Sequence, residues 1–544
     1  MRAGGLRRSL VGAALAAAVA VAVAAVMLVR GGLAPAPPPA DRDMALAAAL
    51  DRVLLRREQS PAPGVAVRPL ATPSGDAEAA ALAGPLCDAL VGRLARVPAL
   101  RVASCGSSGV AYAADLDDAA LSRLLAVGHV VAGELRSLPG GRVRVRLALR
   151  DVRDGQRRWS VDEEMARADL QRLPGRLAQG AAPVFGRAHA PAAETTLPAA
   201  AYDRYTRALQ LFRRASIDDQ REALRLLDEV LATAADHAPS LYLRLALRAR
   251  LDGYAAGGPA AQGDAARIAQ AQAALHRETE ALGERMVARD PGDRRGRTLL
   301  LNAALGQGRW EEAFRHADAL LEHAHQQPGV LRIAARLHLM AGYVRQAEAY
   351  ALEAARLDAL DAESIEYLAT TRGMQGRDDA MRELLAIAAQ LGHGGLALPD
   401  AVLAHRRGDW PAFERAMTAY ATATQRDAGW VPAYARGAAD ARERETAARL
   451  LDAHDEGLRF YMTDYFVEYA LLGDVERTLR ALVRHARHPP KVWLEYLWWP
   501  ELAAARRDPR FADVAGAIGL ARLWDVRGAP DLCRRDAEGR WGCT

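Results

Sequence analysis

Gly308-Arg309-Trp310-Glu311-Glu312-Ala313 is the stretch that decides the fold, because its pattern returns 34 residues later as Gly342-Tyr343-Val344-Arg345-Gln346-Ala347. A third glycine, Gly376, follows after the same interval. Glycine permits a tight turn between two helices, and the aromatic residue and the alanine let those helices pack closely. A helix–turn–helix of this length cannot bury its own apolar face. Copies must therefore stack, and the sequence predicts a mainly α-helical solenoid.

The repeat resembles the tetratricopeptide repeat (TPR), whose units have this length. Fainter copies begin at Gly408 and Gly473, and Asp290-Pro291 ends a unit in register with Gly308. We expect five to eight units over residues 199–497, three of them clear. Stacked units of this kind form a concave groove that binds other proteins. The repeat therefore favours an interaction protein over an enzyme.

The resemblance also implies where a protein or peptide partner would lie in the groove. In TPR units the residue six positions before the turn glycine commonly faces a bound peptide. Counting back from the three glycines gives Asn302, Arg336 and Thr370, and Arg332 lies one helical turn before Arg336. The two arginines suit an acidic or carboxy-terminal peptide. The alternative is that an arginine-rich chain places arginine on every exposed helix face.

The amino-terminal stretch predicts a membrane anchor. Residues 9–29 carry no charge over 21 positions, which is long enough for one transmembrane helix. Three arginines precede the stretch and one follows it closely, so we expect residues 1–8 to be a cytoplasmic stub and the bulk of the chain to be periplasmic at a bacterial inner membrane. Residues 30–61 read as a spacer with a short helix. The alternative is a cleaved signal peptide, because Ala34-Pro35-Ala36 loosely matches a small-x-small cleavage site.

Residues 62–185 change pattern and predict one α/β domain. Short apolar strands flank a helix over 77–96, and the strict alternation of Arg142 to Leu149 marks a strand with one face in water. The ordered set includes Val65-Ala66-Val67-Arg68-Pro69-Leu70 and, later, Asp154-Gly155 followed by Trp159-Ser160. This set resembles the TolB-like amino-terminal domain.

In many bacterial proteins a TolB-like domain lies between one transmembrane helix and TPR units, with a winged-helix DNA-binding domain or a nucleotide cyclase attached. Only eight residues precede the apolar stretch here, so neither output activity transfers to this chain. The tail, residues 498–544, is similar to the closing segment of the same proteins and is expected to cap the last repeat.

Four cysteines form two local pairs, Cys87 with Cys105 and Cys533 with Cys543. An even count outside the cytoplasm favours two disulfides. The alternative is four free thiols, two of them buried. A zinc site is disfavoured because neither pair has the spacing of zinc ligands.

No catalytic motif is present, and we expect no catalytic residue, no metal site and no cofactor. The cluster Ser104-Cys105-Gly106-Ser107-Ser108 is interpreted as a polar turn after a strand. His316, His323 and His325 share a helix face only partly, so a solvated helix end is favoured over a metal site. The net charge of +5 is spread thinly and makes a nucleic-acid partner unlikely on composition, despite a pI of about 9.1.

The sequence thus predicts a TPR-like α-solenoid with one amino-terminal TolB-like α/β domain and a single transmembrane helix. The favoured function is a non-catalytic, membrane-tethered periplasmic scaffold or sensor that binds protein or peptide partners. The alternative is the sensory part of a transcription regulator or cyclase system whose output domain is missing or encoded separately. A third hypothesis is an unrecognised periplasmic enzyme.

Overall fold

The structure is a computed structural model. It describes residues 63–113, 116–187, 196–212, 216–257, 265–391, 397–423, 427–457, 465–487 and 494–544. The expected stub 1–8, anchor 9–29 and spacer 30–61 lie outside these residues. Within the described ranges, no helix has both the length and the apolar character that a membrane span requires.

The first part of the described chain is an α/β domain built on a five-stranded sheet. Its strands are β1 (Gly64–Val67), β2 (Arg101–Val102), β3 (His129–Leu138), β4 (Arg142–Asp151) and β5 (Arg157–Ala166), in the spatial order β2-β1-β3-β4-β5. β1 pairs in parallel with β2 and β3, whereas β3–β4 and β4–β5 are antiparallel. β1 is buried along its whole length, as a central strand should be.

The last two strands carry a charged outer face. Val143 and Val145 of β4 are buried, while Arg144 and Arg146 between and beside them point outward. Both arginines contact Asp162 of β5, with Nε–carboxylate distances of 3.1 and 2.9 Å. The acidic run that begins at Asp162 is exposed on β5, which is an edge strand of the sheet, and cross-strand arginines balance its charge.

Four helices complete this domain: α1 (Ala77–Leu94), α2 (Cys105–Ala113), α3 (Asp118–Leu125) and α4 (Leu173–Ala181). α2 corrects the interpretation of the Ser104–Ser108 cluster as a polar turn. The Ser104 hydroxyl accepts the N–H of Ser107 at 3.0 Å, so this serine starts a helix as its N-terminal cap.

Eight consecutive helix pairs follow in the described part of the chain. They are α5 (Ala199–Phe212) with α6 (Ile217–Thr233), α7 (Ala238–Gly257) with α8 (Ala265–Arg289), α9 (Arg294–Gly306) with α10 (Trp310–Ala324), α11 (Pro328–Ala341) with α12 (Val344–Leu357), α13 (Ala362–Met374) with α14 (Asp378–Gln390), α15 (Ala397–Arg407) with α16 (Trp410–Ala423), α17 (Val431–Ala439) with α18 (Arg444–Gly457), and α19 (Phe466–Leu471) with α20 (Val475–Arg487). From α5 to α18 each helix packs on the next one in sequence, and α19 packs on α20, which gives a TPR-like arrangement.

The turn glycines behave alike in the clear and the faint repeats. Gly308, Gly342 and Gly376 have φ angles of 70°, 90° and 71°, and Gly408 and Gly473 have 67° and 73°. Side chains with a Cβ rarely adopt such angles, so glycine is the residue that ends the first helix of each of these pairs. The degenerate copies are therefore complete pairs, and the backbone repeats more regularly than the sequence does.

Residues 494–544 fold back over the repeats. We call residues 494–502 the strap and residues 503–544 the closing segment. The strap consists of two short 3₁₀ turns, Leu494–Trp498 and Pro500–Leu502. The closing segment contains α21 (Ala503–Arg507), α22 (Phe511–Ile518), α23 (Leu520–Arg527) and a hairpin of β6 (Cys533–Arg535) and β7 (Trp541–Cys543).

The closing segment contacts both the last repeat and the middle of the solenoid. α21 and α22 pack on α20, the last helix of the last pair. The indole N–H of Trp524 donates to the Ala341 carbonyl at 2.9 Å, and that of Trp310 donates to the Ile518 carbonyl at 2.8 Å. The segment therefore covers the final apolar face and also joins it to pairs three and four.

The turn glycines offer a matched test of this packing. A Cβ built on Gly342 would lie 2.7 Å from the Trp498 ring, whereas one on Gly376 would meet nothing within 4 Å. Gly376→Ala should destabilise the protein by about 1 kcal/mol through backbone strain alone. Gly342→Ala should cost about 2–4 kcal/mol because overpacking adds to that strain. Urea unfolding of the two variants measures the difference, and equal losses would contradict the contact between Trp498 and Gly342.

Candidate partner groove and its occupant

The four predicted groove residues lie on first helices of the pairs, but not all on an open surface. Asn302 on α9 is exposed. Thr370 on α13 is buried. Arg332 on α11 forms ion pairs with Asp361 and, at 2.9 Å, with Glu363. The Arg332 guanidinium, which the sequence predicts to bind a partner peptide, is thus already paired with two carboxylates at the start of the next helix pair.

The strap covers the inner face, by which we mean the surface formed by the first helices α11, α13, α15, α17 and α19. It packs against α11 at one end and α19 at the other, and its side chains reach α13 and α15 between them. Leu494, Leu497 and Leu502 of the strap are fully buried. A segment of the chain itself therefore occupies the place where the sequence predicts a partner.

Arg406 on α15 binds the acidic end of the strap. Its Nε and Nη2 donate to the two carboxylate oxygens of Glu501, at 2.6 and 3.0 Å. Its Nη1 donates to Asp378 at 2.6 Å and to the Gly373 carbonyl at 2.9 Å. Burial disfavours the charge of Arg406, but these carboxylates outweigh it and its pKa is raised. Such a bidentate arginine–carboxylate pair recognises a carboxylate by its geometry as well as by its charge.

Two tryptophans of the strap lie where glycine leaves room for a ring. Trp498 packs over Gly342, and Trp499 packs over Gly373, whose added Cβ would lie 3.3 Å from the ring. The Arg406 guanidinium carbon lies 5.1 Å from the centroid of Trp499, a cation–π contact. Both indoles are buried. The inner face is thus shaped for two neighbouring aromatic rings followed by a carboxylate.

Arg506 of the closing segment fixes the backbone of the strap. Its Nη1 donates to the carbonyls of Leu497 and Trp499, at 2.7 and 2.8 Å, and its Nε donates to the Thr544 carbonyl at 2.9 Å. Burial, with the nearby Arg507 charge, lowers the pKa of Arg506 to about 10. This guanidinium is still a cation at neutral pH, and it ties the strap to the last residue of the sequence.

Arg336 faces the same region as the strap. Burial raises the pKa of Tyr367 on α13 to about 12, and the phenol also experiences the charges of Arg336 and of Glu495 in the strap. Arg336 is half-buried. Arg336, six residues before the turn glycine, thus lies near the Tyr367 phenol, whose pKa Glu495 of the strap also influences.

Sequence reasoning did not identify Arg406, Gly373 or the strap. A signal was available, since Tyr496, Trp498 and Trp499 fall within four residues of a chain that is only 6% aromatic. Such a concentration next to a proline indicates a packed segment rather than a solvated linker.

A second buried polar cluster joins the α/β domain to the repeats. Nη1 of Arg101 on β2 donates to the carbonyl of Leu125 and to that of Leu357 at the end of α12, both at 2.7 Å. Next to Leu357, the fully buried Asp358 accepts the N–H of Ser104 at 3.1 Å. Burial, with the neighbouring Asp361 carboxylate, raises the pKa of Asp358 to about 6.

Both predicted cysteine pairings are present. The sulfurs of Cys87 and Cys105 are 2.13 Å apart, and those of Cys533 and Cys543 are 2.03 Å apart. The first disulfide ties α1 to the first residue of α2, directly beside the Ser104 cap. The second closes the hairpin at the end of the closing segment.

The structure does not bring the three candidate histidines together. His316 lies 3.8 Å from Glu312 on its own helix, and the ring of His323 bonds the Ala319 carbonyl at 2.9 Å. No group of three metal-ligating side chains occurs among the residues that the structure describes.

No protein-family model matches the chain, and no curated protein matches it. Among solved structures, a chain of the crystal structure of the APC/C hetero-tetramer Cut9–Hcn1 is similar, with a TM-score of 0.31 and 14% sequence identity. The match covers 61% of this chain and 71% of that one.

The buried carboxylate of Asp358 predicts a pH dependence of stability. Its pKa in the folded chain, about 6, lies above the ordinary aspartate value of 3.8, so the ionised form is disfavoured by folding. This destabilisation is absent below pH 4, grows as the pH rises and is complete above pH 6. Asp358→Asn removes the ionisation, and relative to the wild type it should gain about 2–3 kcal/mol between pH 4 and pH 7.5.

Urea unfolding at the two pH values measures this gain. The control is Asp379→Asn, which makes the same substitution at a side chain that is 89% exposed. Parallel pH profiles for the wild type and Asp358→Asn would contradict the burial of this carboxylate at the contact.

Proposed function

We propose that this chain is a non-catalytic scaffold that binds segments of partner proteins along the first helices of its repeats. The observation that carries the proposal is the strap, a short irregular segment on the inner face. Arg406 binds its Glu501 carboxylate in a bidentate manner, and its two tryptophan rings pack over Gly342 and Gly373. Stacked helix pairs of this kind typically serve protein–protein interaction rather than catalysis.

We further propose that the scaffold lies on the periplasmic side of a bacterial inner membrane and is tethered through residues 9–29. Two observations support this placement. The charge-free stretch of 21 residues follows an arginine-rich start, which favours a cytoplasmic amino terminus. The two disulfides, which leave no free cysteine among the described residues, are typical of an oxidising compartment.

Partner binding is tested by photo-crosslinking in the organism that encodes the chain. A photoreactive amino acid replaces Asn302, which is exposed on the first helix of pair three, or Arg315, which is exposed on the second helix of the same pair. The proposal expects a discrete crosslinked protein from position 302 and none from position 315. Equal adducts from both positions, or none from either, would contradict a binding surface on the first helices.

The membrane placement is tested separately by fusing alkaline phosphatase, which folds only outside the cytoplasm, after residue 544. An active fusion is expected. An inactive fusion that is present at full length would overturn the periplasmic location without affecting the test of partner binding.

A further inference from the structure

Exposed apolar side chains are rare on the described surface. Over the described residues, Val526 is the one large hydrophobic side chain that is exposed. Specific partners need apolar anchors as well as charges, and scattered surface ion pairs contribute little. Val526 is thus isolated among the exposed residues, and the aromatic-binding part of the solenoid lies under the strap.

We propose that the strap is an internal competitor: it occupies the binding site of a partner segment, and the partner binds only by displacing it. This inference rests on the proposed function and adds its regulation and the chemistry of the partner. The segment that fits carries two adjacent aromatic residues followed by proline and an acidic residue. That pattern is the one that Trp498, Trp499, Pro500 and Glu501 present to the inner face.

The contacts define what the site selects. Gly342 and Gly373 leave space for the two rings. A Cβ on Gly342 would lie 2.7 Å from the Trp498 ring, and one on Gly373 would lie 3.3 Å from the Trp499 ring and 2.4 Å from the Met381 sulfur. Arg406 then binds the carboxylate, and Asp378 and the Gly373 carbonyl hold its guanidinium in place. Since these receptor groups belong to the repeats and not to the strap, they remain when the strap leaves.

The strap itself is an imperfect occupant. Within the described ranges, the buried indole N–H groups of Trp498 and Trp499 and one buried carboxylate oxygen of Glu495 have no hydrogen-bond partner. A buried donor or acceptor without a partner opposes the docking of the segment that carries it. A partner with the same rings but better-satisfied polar groups would gain the same apolar contacts at a lower desolvation cost.

Displacement is feasible because the contacts that the strap loses are replaced by equivalent contacts of the partner segment. An incoming segment of the same pattern buries the same surfaces, so the barrier is the high effective concentration of a competitor in the same chain. Weakening the strap while leaving the receptor groups untouched should therefore expose a site for a peptide added in solution.

The probe is a fluorescein-labelled peptide with the sequence of residues 494–502, Leu-Glu-Tyr-Leu-Trp-Trp-Pro-Glu-Leu. The opened variant of the full chain carries Trp499→Ala and Glu501→Arg, which remove one ring and place a like charge opposite Arg406. Anisotropy should show binding to the opened variant at least about tenfold tighter than to the wild type. Adding Arg406→Met to the opened variant should abolish it, because the carboxylate of the probe loses its partner.

The control is Glu476→Arg, which makes the same charge change at an exposed pair with Arg510 and should bind the probe no better than the wild type. Equal binding by wild type and opened variant, or no binding by a folded opened variant, overturns the proposal. A discrete crosslink at position 302 together with equal probe binding by the wild type and the opened variant would keep the scaffold function and overturn only its regulation.

If the opened variant does not fold, hydrogen exchange of the wild type decides. An excess of unlabelled peptide should speed exchange of the amides of residues 494–502 and leave those of β4 unchanged. A peptide in which the glutamate after proline is replaced by arginine should have no effect. Unchanged exchange in the strap at saturating peptide overturns the proposal.

Discussion

A pair of antiparallel helices can bury only part of its apolar surface, and this constraint organises the whole described chain. Stacking hides the faces between neighbouring pairs. Stacking alone leaves three apolar surfaces uncovered, namely the two ends of the stack and the inner face of the first helices. The α/β domain contacts the first repeats through α1 and α5. The strap lines the inner face, and the closing segment after it covers the other end. One chain therefore covers all three surfaces.

The two coverings differ in chemistry. The α/β domain contacts the loops between successive pairs through buried polar groups, chiefly Arg101 and Asp358. The Asp358 carboxylate is buried there with hydrogen-bond donors, and no cation is described at its oxygens. The strap and closing segment contact the inner face and the turns within pairs through aromatic rings and through arginine–carboxylate pairs such as Arg406–Glu501. Polar docking of the first kind responds to protonation, whereas docking of the second kind responds to competing segments.

The sequence predicted what local spacing controls and missed what distant contacts decide. A glycine at a turn reports its own φ angle, so Gly308, Gly342 and Gly376 located the pairs, and alternation located β4. The helix at Cys105 was missed because one serine cap outweighed a turn-like composition. The strap was missed because its position depends on Arg406, which lies 95 residues before Glu501, and no local pattern encodes that contact. The sequence predicts a cap over the last repeat from residues 498–544, but it does not predict that part of this segment covers the inner face.

The same three glycines show why a repeat cannot be interpreted position by position. Each of these glycines has a positive φ at the end of a first helix. Of the three, only Gly342 also accommodates a ring of the strap. The three turn glycines are therefore alike in backbone conformation, and they differ in what each turn contacts. A site on such a scaffold is made by departures from the repeat, as at Gly373 within α13 and at Arg406 near the end of α15. Residues that break the period without breaking the helix pair are the ones that give a repeated backbone one specific binding site.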